Sequence, residues 1–231
     1  MKDPRSIIVV SDLHVGCKLG LCPKSVKLDE GGSYESSPHQ KEVLSKWNEF
    51  WGEWVPHVTK GAPYIVVLNG DALDGVHHNS TTQWSHNLTD QKKMAFSLLE
   101  PIVSGKQCSK LYMIRGTEAH VGQSASEEES LANWLQAVPN EDGNAARWEL
   151  WLRFGQEQQL IHFTHHVGTT SSAAYESTAI YKEMVEAYNE AGRWGEESPA
   201  IIVRSHRHRA MEIRIPTELG YGIAFCTPGG S

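Results

Sequence analysis

The chain lacks the marks of several protein classes. No apolar run approaches the roughly 20 residues that a membrane helix needs, so no membrane partner is expected. The N-terminus, Met1 to Ser6, carries charge, but no apolar stretch of secretory-signal length follows it. Cysteine is scarce: Cys17, Cys22, Cys108 and Cys226 are the only four, without dense spacing. That argues against a disulfide-stapled scaffold and leads to the expectation of reduced thiols in the cytoplasm. Cys17 and Cys22 have no second Cys or His pair at structural-zinc spacing. A basic stripe is missing too. Net charge is −7 with His neutral, and the one local basic cluster is Arg204 to Arg209, which argues against a non-specific nucleic-acid binder. There is no low-complexity segment and no internal repeat.

What is present fits an ordinary globular protein, with 39% hydrophobic and 21% charged residues in 231. A single domain over residues 1–231 is expected. The closing TPGGS resembles a linker scar or a truncation, so the natural chain is expected to continue beyond Ser231. Five short apolar runs read as buried strands: IIVV (7–10), YIVVL (64–68), LYMI (111–114), LIHF (160–163) and AIIV (200–203). Their near-continuous apolar character suggests cover on both faces.

Helical patterns lie between these runs. Ser37-Pro38 reads as an N-cap with Pro at the first helical position, followed by a core-facing stripe of Val43, Leu44, Trp47, Phe50, Trp51 and Trp54. A second helix is predicted over 89–103, with Met94, Leu98 and Ile102 on one face. A third starts near Ser126, with Glu129 completing a capping box and Leu131, Trp134, Leu135 and Val138 inward. Within it, Glu127 to Glu129 reads as favourable charge at a helix start. A fourth spans 173–191 and stops near Gly192. Segments 145–165 and 211–226 read as antiparallel hairpins. The pattern predicts one mixed α/β domain with two packed sheets, and long polar loops at 16–36 and 75–88.

Each apolar run ends in candidate metal ligands. In chain order these are Asp12 and His14; Asp71 and Asp74; Glu118 and His120; His165 and His166; His206 and His208. Taken singly, Asp12 fits an Asx turn, Asn69-Gly70-Asp71 a routine turn, and His206-x-His208 a surface pair. Recurrence after every run favours a metal site at the carboxyl edge of the strands. Imidazole nitrogen plus carboxylate oxygen, without thiolate, suits manganese, iron, zinc, cobalt or nickel. Six good ligands exceed one tetrahedral ion but suit two ions sharing a carboxylate, about 3.5–4 Å apart, an arrangement that serves displacement at phosphorus.

Asp12-x-His14, Gly70-Asp71-x-x-Asp74, a glycine-led third motif ending in His120, strand-terminal His165 and His206-x-His208 occur in the order found in calcineurin-like metallophosphoesterases, which the chain resembles over residues 7–226. The resemblance implies a four-layer αββα sandwich with a two-metal centre, manganese foremost. It implies that Asp12, His14 and His208 hold one ion, that Asp71 bridges, and that His165 and His206 hold the other, with His166 the alternative to His165. The third motif departs from the family. Thr117 stands where the family has Asn, and His120 is displaced by two residues. Glu118 could replace the amide as a ligand, or His120 could bind metal. This variant is similar to a branch found in phage and mobile-element proteins.

The implied activity is hydrolysis of phosphate esters, phosphodiesters foremost, by a metal-bridging hydroxide. His120 would be the general acid, and the ions with Arg115 or His78 would steady the phosphoryl oxygens. A nuclease of the same fold is the second reading, with His77, His78, Trp84 and His86 placed to stack a base or read a strand. A protein-binding scaffold of low activity is the third, motivated by the missing Asn.

Overall fold

All five apolar runs become strands in the computed structural model, which describes residues 3–76, 80–118, 126–168, 172–217 and 220–227. They are β1 (Ser6–Val10), β4 (Tyr64–Asn69), β5 (Cys108–Ile114), β8 (Gln159–Thr164) and β9 (Ile201–Arg204). A small hairpin, β2 (Ser25–Lys27) and β3 (Ser33–Glu35), occupies the loop expected at 16–36. Short β6 (Ala146–Arg147), then β7 (Glu149–Phe154), β10 (Met211–Thr217) and β11 (Gly220–Cys226) complete the set.

The strands form a mixed α/β protein. One sheet has the order β1-β4-β5-β6, with every pairing parallel. The other has the order β10-β11-β9-β8-β7, with a parallel centre and an antiparallel hairpin at each side. The expected hairpins are therefore present, except that Ala146-Arg147 leaves the first one and pairs with β5 in the other sheet.

Two-residue alternation sorts the strand side chains to opposite faces. From β4, Val66 and Leu68 join one apolar cluster while Ile65 and Val67 join another. From β5, Leu111 and Met113 part in the same way from Tyr112 and Ile114. The first cluster also takes Leu44, Val55, Leu99 and Leu131 from the helices. The second takes Leu150, Ile161, Phe163 and Val203 from the five-stranded sheet, so the two sheets pack on each other. A third cluster joins Ile202, Ala224 and Cys226 to Ile180 and Met184 of a helix on the far side of that sheet.

Helix α1 (Pro38–Glu49) starts as its sequence predicts, with Pro38 in its first turn. The Ser37 hydroxyl accepts from the Gln40 amide, and the Gln40 side chain accepts from the Ser37 amide. It then runs through a π-helical turn, Phe50–Trp54, into α2 (Val55–Thr59), ending at left-handed Lys60. A π turn takes more residues per revolution than an α turn. The apolar stripe slips out of phase there, so Trp54 is half exposed and stacks on Phe50 instead of facing the core.

Helix α3 (Leu88–Val103), capped by Asn87, buries Gln91, Ala95 and Leu99 most deeply, one step round from the predicted line through Met94 and Leu98. The reason is polar. The Gln91 side chain accepts from the Gly75 amide and donates to the Gly75 and Ser85 carbonyls, pinning the loop before the helix. Helix α4 (Ser126–Trp134) buries Leu131 but leaves Trp134 partly exposed. Helix α5 (Glu176–Trp194) continues past Gly192 and stops at Gly195, whose φ of 68° is the left-handed stop. All four cysteines are free thiols. No described helix is long and apolar enough to cross a membrane.

Candidate metal centre

Parallel strands put their carboxyl ends on one edge, and the residues that follow them meet there. Backbone bonding carries the order past the strand ends. The amides of Asp12, His14 and Val15 donate to the carbonyls of Gly70, Asp71 and Ala72 at 2.9, 3.0 and 3.1 Å. On the other sheet the Ser205 amide donates to the His165 carbonyl at 2.9 Å. Within this frame Asp12, His14, Asp71, His206 and His208 all have φ between 44° and 69°. Left-handed backbone at Asp and His is strained by about 1–3 kcal/mol each and clusters where function requires it. Five such residues lie at this one edge.

Two groups of ligand atoms result: Asp12, His14 and His208 in one; Asp71, His165 and His206 in the other. Within each group the three ligand atoms lie within 4.8 Å of one another. His14 Nε2 is 3.2 Å from His208 Nε2, and His208 Nε2 is 3.2 Å from Asp12 Oδ1. His165 Nε2 is 3.0 Å from Asp71 Oδ2. The groups adjoin, with Asp71 Oδ2 4.0 Å from His14 Nε2, and Asp12 Oδ1 3.9 Å from His165 Nε2. Imidazole nitrogens and carboxylate oxygens converging from a largely buried edge are a donor set that fits divalent cations.

The surrounding residues hold these donors in place. His165 Nδ1 donates to the Asn69 carbonyl at 2.7 Å, which leaves Nε2 as the lone-pair donor. Asn69 in turn donates to the Thr164 carbonyl and to the Ser205 hydroxyl. His14 Nδ1 faces Asp74 Oδ1 at 3.4 Å, and the other Asp74 oxygen accepts from the Gln83 side chain at 2.6 Å. Asp74, a candidate ligand by sequence, is thus the carboxylate behind His14. The Thr117 amide donates to Asp71 Oδ1 at 2.9 Å, so the third motif reaches Asp71 through its backbone.

Charge is arranged to match. Burial pushes Asp12 up, but the His208 hydrogen bond and the field of His165 outweigh it and hold the carboxyl below its usual range. Burial pulls His165 down, yet Asp71 and Asp12 carry it to about 9. The hydrogen bond to Asp12 raises His208, while burial and then His165 lower His206. A cation entering would displace protons from His165 and His208, so its affinity falls as pH falls.

Of the two strand-end histidines, His165 is buried within a group, while His166 is exposed and lies against His206, with ring centroids 5.0 Å apart. Glu118 is exposed and belongs to neither group. It lines an adjoining cleft with Arg115 and His166. The Arg115 guanidinium is engaged elsewhere, donating to the Ala146 carbonyl at 3.1 Å and to Glu129 Oε2 at 3.0 Å. His78 and His120 lie outside the described residues, as does His77. Trp84 is corrected. It is 8% exposed and stacked on Tyr34, so it belongs to the core and offers no face to a base.

The acidic start of α4 also does more than its sequence suggested. Glu128 is fully buried and accepts from the Ala72 amide at 3.0 Å and the Gly116 amide at 2.8 Å, tying the second and third motif loops together. Glu129 accepts from the amides of Ala145 and Ala146 at the start of β6. Only the run of three acids hinted at either role.

Gly70 shows how little room the edge leaves. Its φ is +87°, and a Cβ there would collide with the His165 imidazole. Gly70→Ala is expected to cost upward of about 1 kcal/mol in stability and to lower metal affinity by displacing His165; denaturant melts and metal titration check both. No protein-family model and no curated protein sequence matches this chain.

Proposed function

We propose that the chain is a metal-dependent phosphoesterase of the calcineurin-like kind, and that its three stacked apolar clusters are the interfaces of a four-layer αββα sandwich. One observation carries the functional reading: two Asp/His/His groups that adjoin at the carboxyl edge of the strands. Asp12, His14 and His208 would hold one divalent ion and Asp71, His165 and His206 the other, with Asp71 close enough to His14 to serve both. Two ions bound there would acidify a water molecule and neutralise charge on the phosphate oxygens. The chain's own part is orientation. The Asn69 carbonyl fixes the His165 ring, Asp74 backs His14, and the Thr117 amide aims Asp71. Fixed donors spare the reaction the reorganisation that free solvent would need.

Elemental analysis after reconstitution with Mn²⁺ tests this, together with hydrolysis of bis(p-nitrophenyl) phosphate. The expected result is about two ions per chain with turnover that a chelator abolishes. Loading at a hundred times the dissociation constant should also raise unfolding stability by about 2.7 kcal/mol for each ion bound. Less than one ion per chain and no hydrolysis would favour a scaffold role.

A further inference from the structure

Trp148 is the single residue through which the chain passes from the four-stranded sheet to the five-stranded one, between Arg147 of β6 and Glu149 of β7. The register of β7 on β8 pairs Glu149 with Thr164. One step further, Trp148 stands level with His165, on the same edge as the metal centre. Its indole is 53% exposed. It is nonetheless seated, since the Arg115 guanidinium carbon lies 5.5 Å from its ring centroid, and Arg115 is itself fixed by Glu129 and the Ala146 carbonyl. A cleft of about 440 Å³ runs from this ring past Thr117 and Glu118 to His165 and His166. That volume is in the range of small-molecule sites, about 300–1,000 Å³.

An exposed aromatic face, backed by a cation and opening onto a candidate metal ligand, is a stacking platform beside a reacting centre. We infer that Trp148 stacks a nucleobase of the substrate, which is a short nucleoside phosphodiester whose scissile phosphate lies at the metal centre. The inference rests on the phosphoesterase reading above and names its substrate class. Length follows from charge. A chain of net charge −7 whose one local basic cluster is Arg204 to Arg209 gains little from a long phosphate backbone, so one base and one phosphate carry recognition. Hydrolysis adds water across the ester. The water oxygen bonds to phosphorus, the phosphorus–oxygen bond to one sugar breaks, and that sugar oxygen takes up a proton, giving a nucleoside monophosphate and a nucleoside.

The test compares the Mn²⁺-loaded wild type with Trp148→Ala and Trp148→Phe. The probes are thymidylyl-thymidine and the same compound with both bases removed. Binding is read separately by calorimetry with the methylphosphonate forms of both, which resist hydrolysis. A stacked base is worth about 1–3 kcal/mol. Trp148→Ala should therefore lose about tenfold of the preference for the base-bearing compound, in KM and in dissociation constant, and Trp148→Phe should keep most of it. An equal effect on both compounds, or an unchanged preference, overturns the inference. Should the wild type hydrolyse neither, the phosphoesterase reading fails, and the calorimetric preference still decides whether Trp148 stacks a base.

Discussion

Asp71→Asn is expected to lower metal-dependent phosphoester hydrolysis by at least about a hundredfold, because loss of a mere supporting partner of a metal ligand already costs about 10–100-fold. The substitution keeps shape and removes charge. Asp71 is 1% exposed, with Oδ2 3.0 Å from His165 Nε2 and 4.0 Å from His14 Nε2, so one carboxylate addresses both ligand groups. An amide there offers one neutral oxygen, and its nitrogen carries protons where a cation should sit. The fold should tolerate the change, since Oδ1 of Asn can still accept from the Thr117 amide. Metal content should drop. His165, held at about 9 chiefly by Asp71, should titrate lower in the variant. Full metal content and full turnover in Asp71→Asn would remove Asp71 from the centre and with it the pairing of the two groups.

The residues of the two candidate ligand groups were legible because their signals are local. An apolar run followed within a few residues by Asp or His can be read without knowing the fold, and parallel pairing of those runs then brings their ends together. Asp12, His14, Asp71, His165, His206 and His208 all belong to that kind. What escaped the sequence depends on contacts distant along the chain. Glu128 sits among acids at a helix start and looks solvated, yet its partners are Ala72 and Gly116. Trp148 falls inside an alternating run and looks like a strand residue, because nothing local says that the chain changes sheets there. Gln91 is deeply buried for its hydrogen bonds to Gly75 and Ser85, which a hydrophobic count discards. Trp54 fails for a backbone reason, the π-helical turn, which residue periodicity does not encode.

Glu128 supplies the strongest expected effect on stability. Burial, and after it the charge of Asp71, push its carboxyl from 4.5 up to about 7, against the two amides that favour the ionised form. At 1.36 kcal/mol per pKa unit, that difference corresponds to about 3 kcal/mol. The sign follows from proton binding. Below pH 4.5 the folded and unfolded chains both carry the proton; between 4.5 and about 7 the unfolded chain has released it and the folded chain retains it. The metal-free fold therefore loses this contribution as pH rises through the window. Glu128→Gln cannot titrate. Its stability relative to the wild type should climb by about 3 kcal/mol across that interval, measured by urea unfolding at a series of pH values. Curves that stay parallel would show that Glu128 keeps one protonation state throughout. The gain has a functional counterpart. A Gln side chain can accept from only one of the two amides and presents its NH₂ to the other, so the loops at Ala72 and Gly116 are no longer held together. Metal affinity should fall by about tenfold, as for other partners that orient ligands. A variant whose stability relative to the wild type climbs with pH yet which holds metal more poorly would show that the buried carboxylate is retained for the geometry of Asp71 rather than for the strength of the fold.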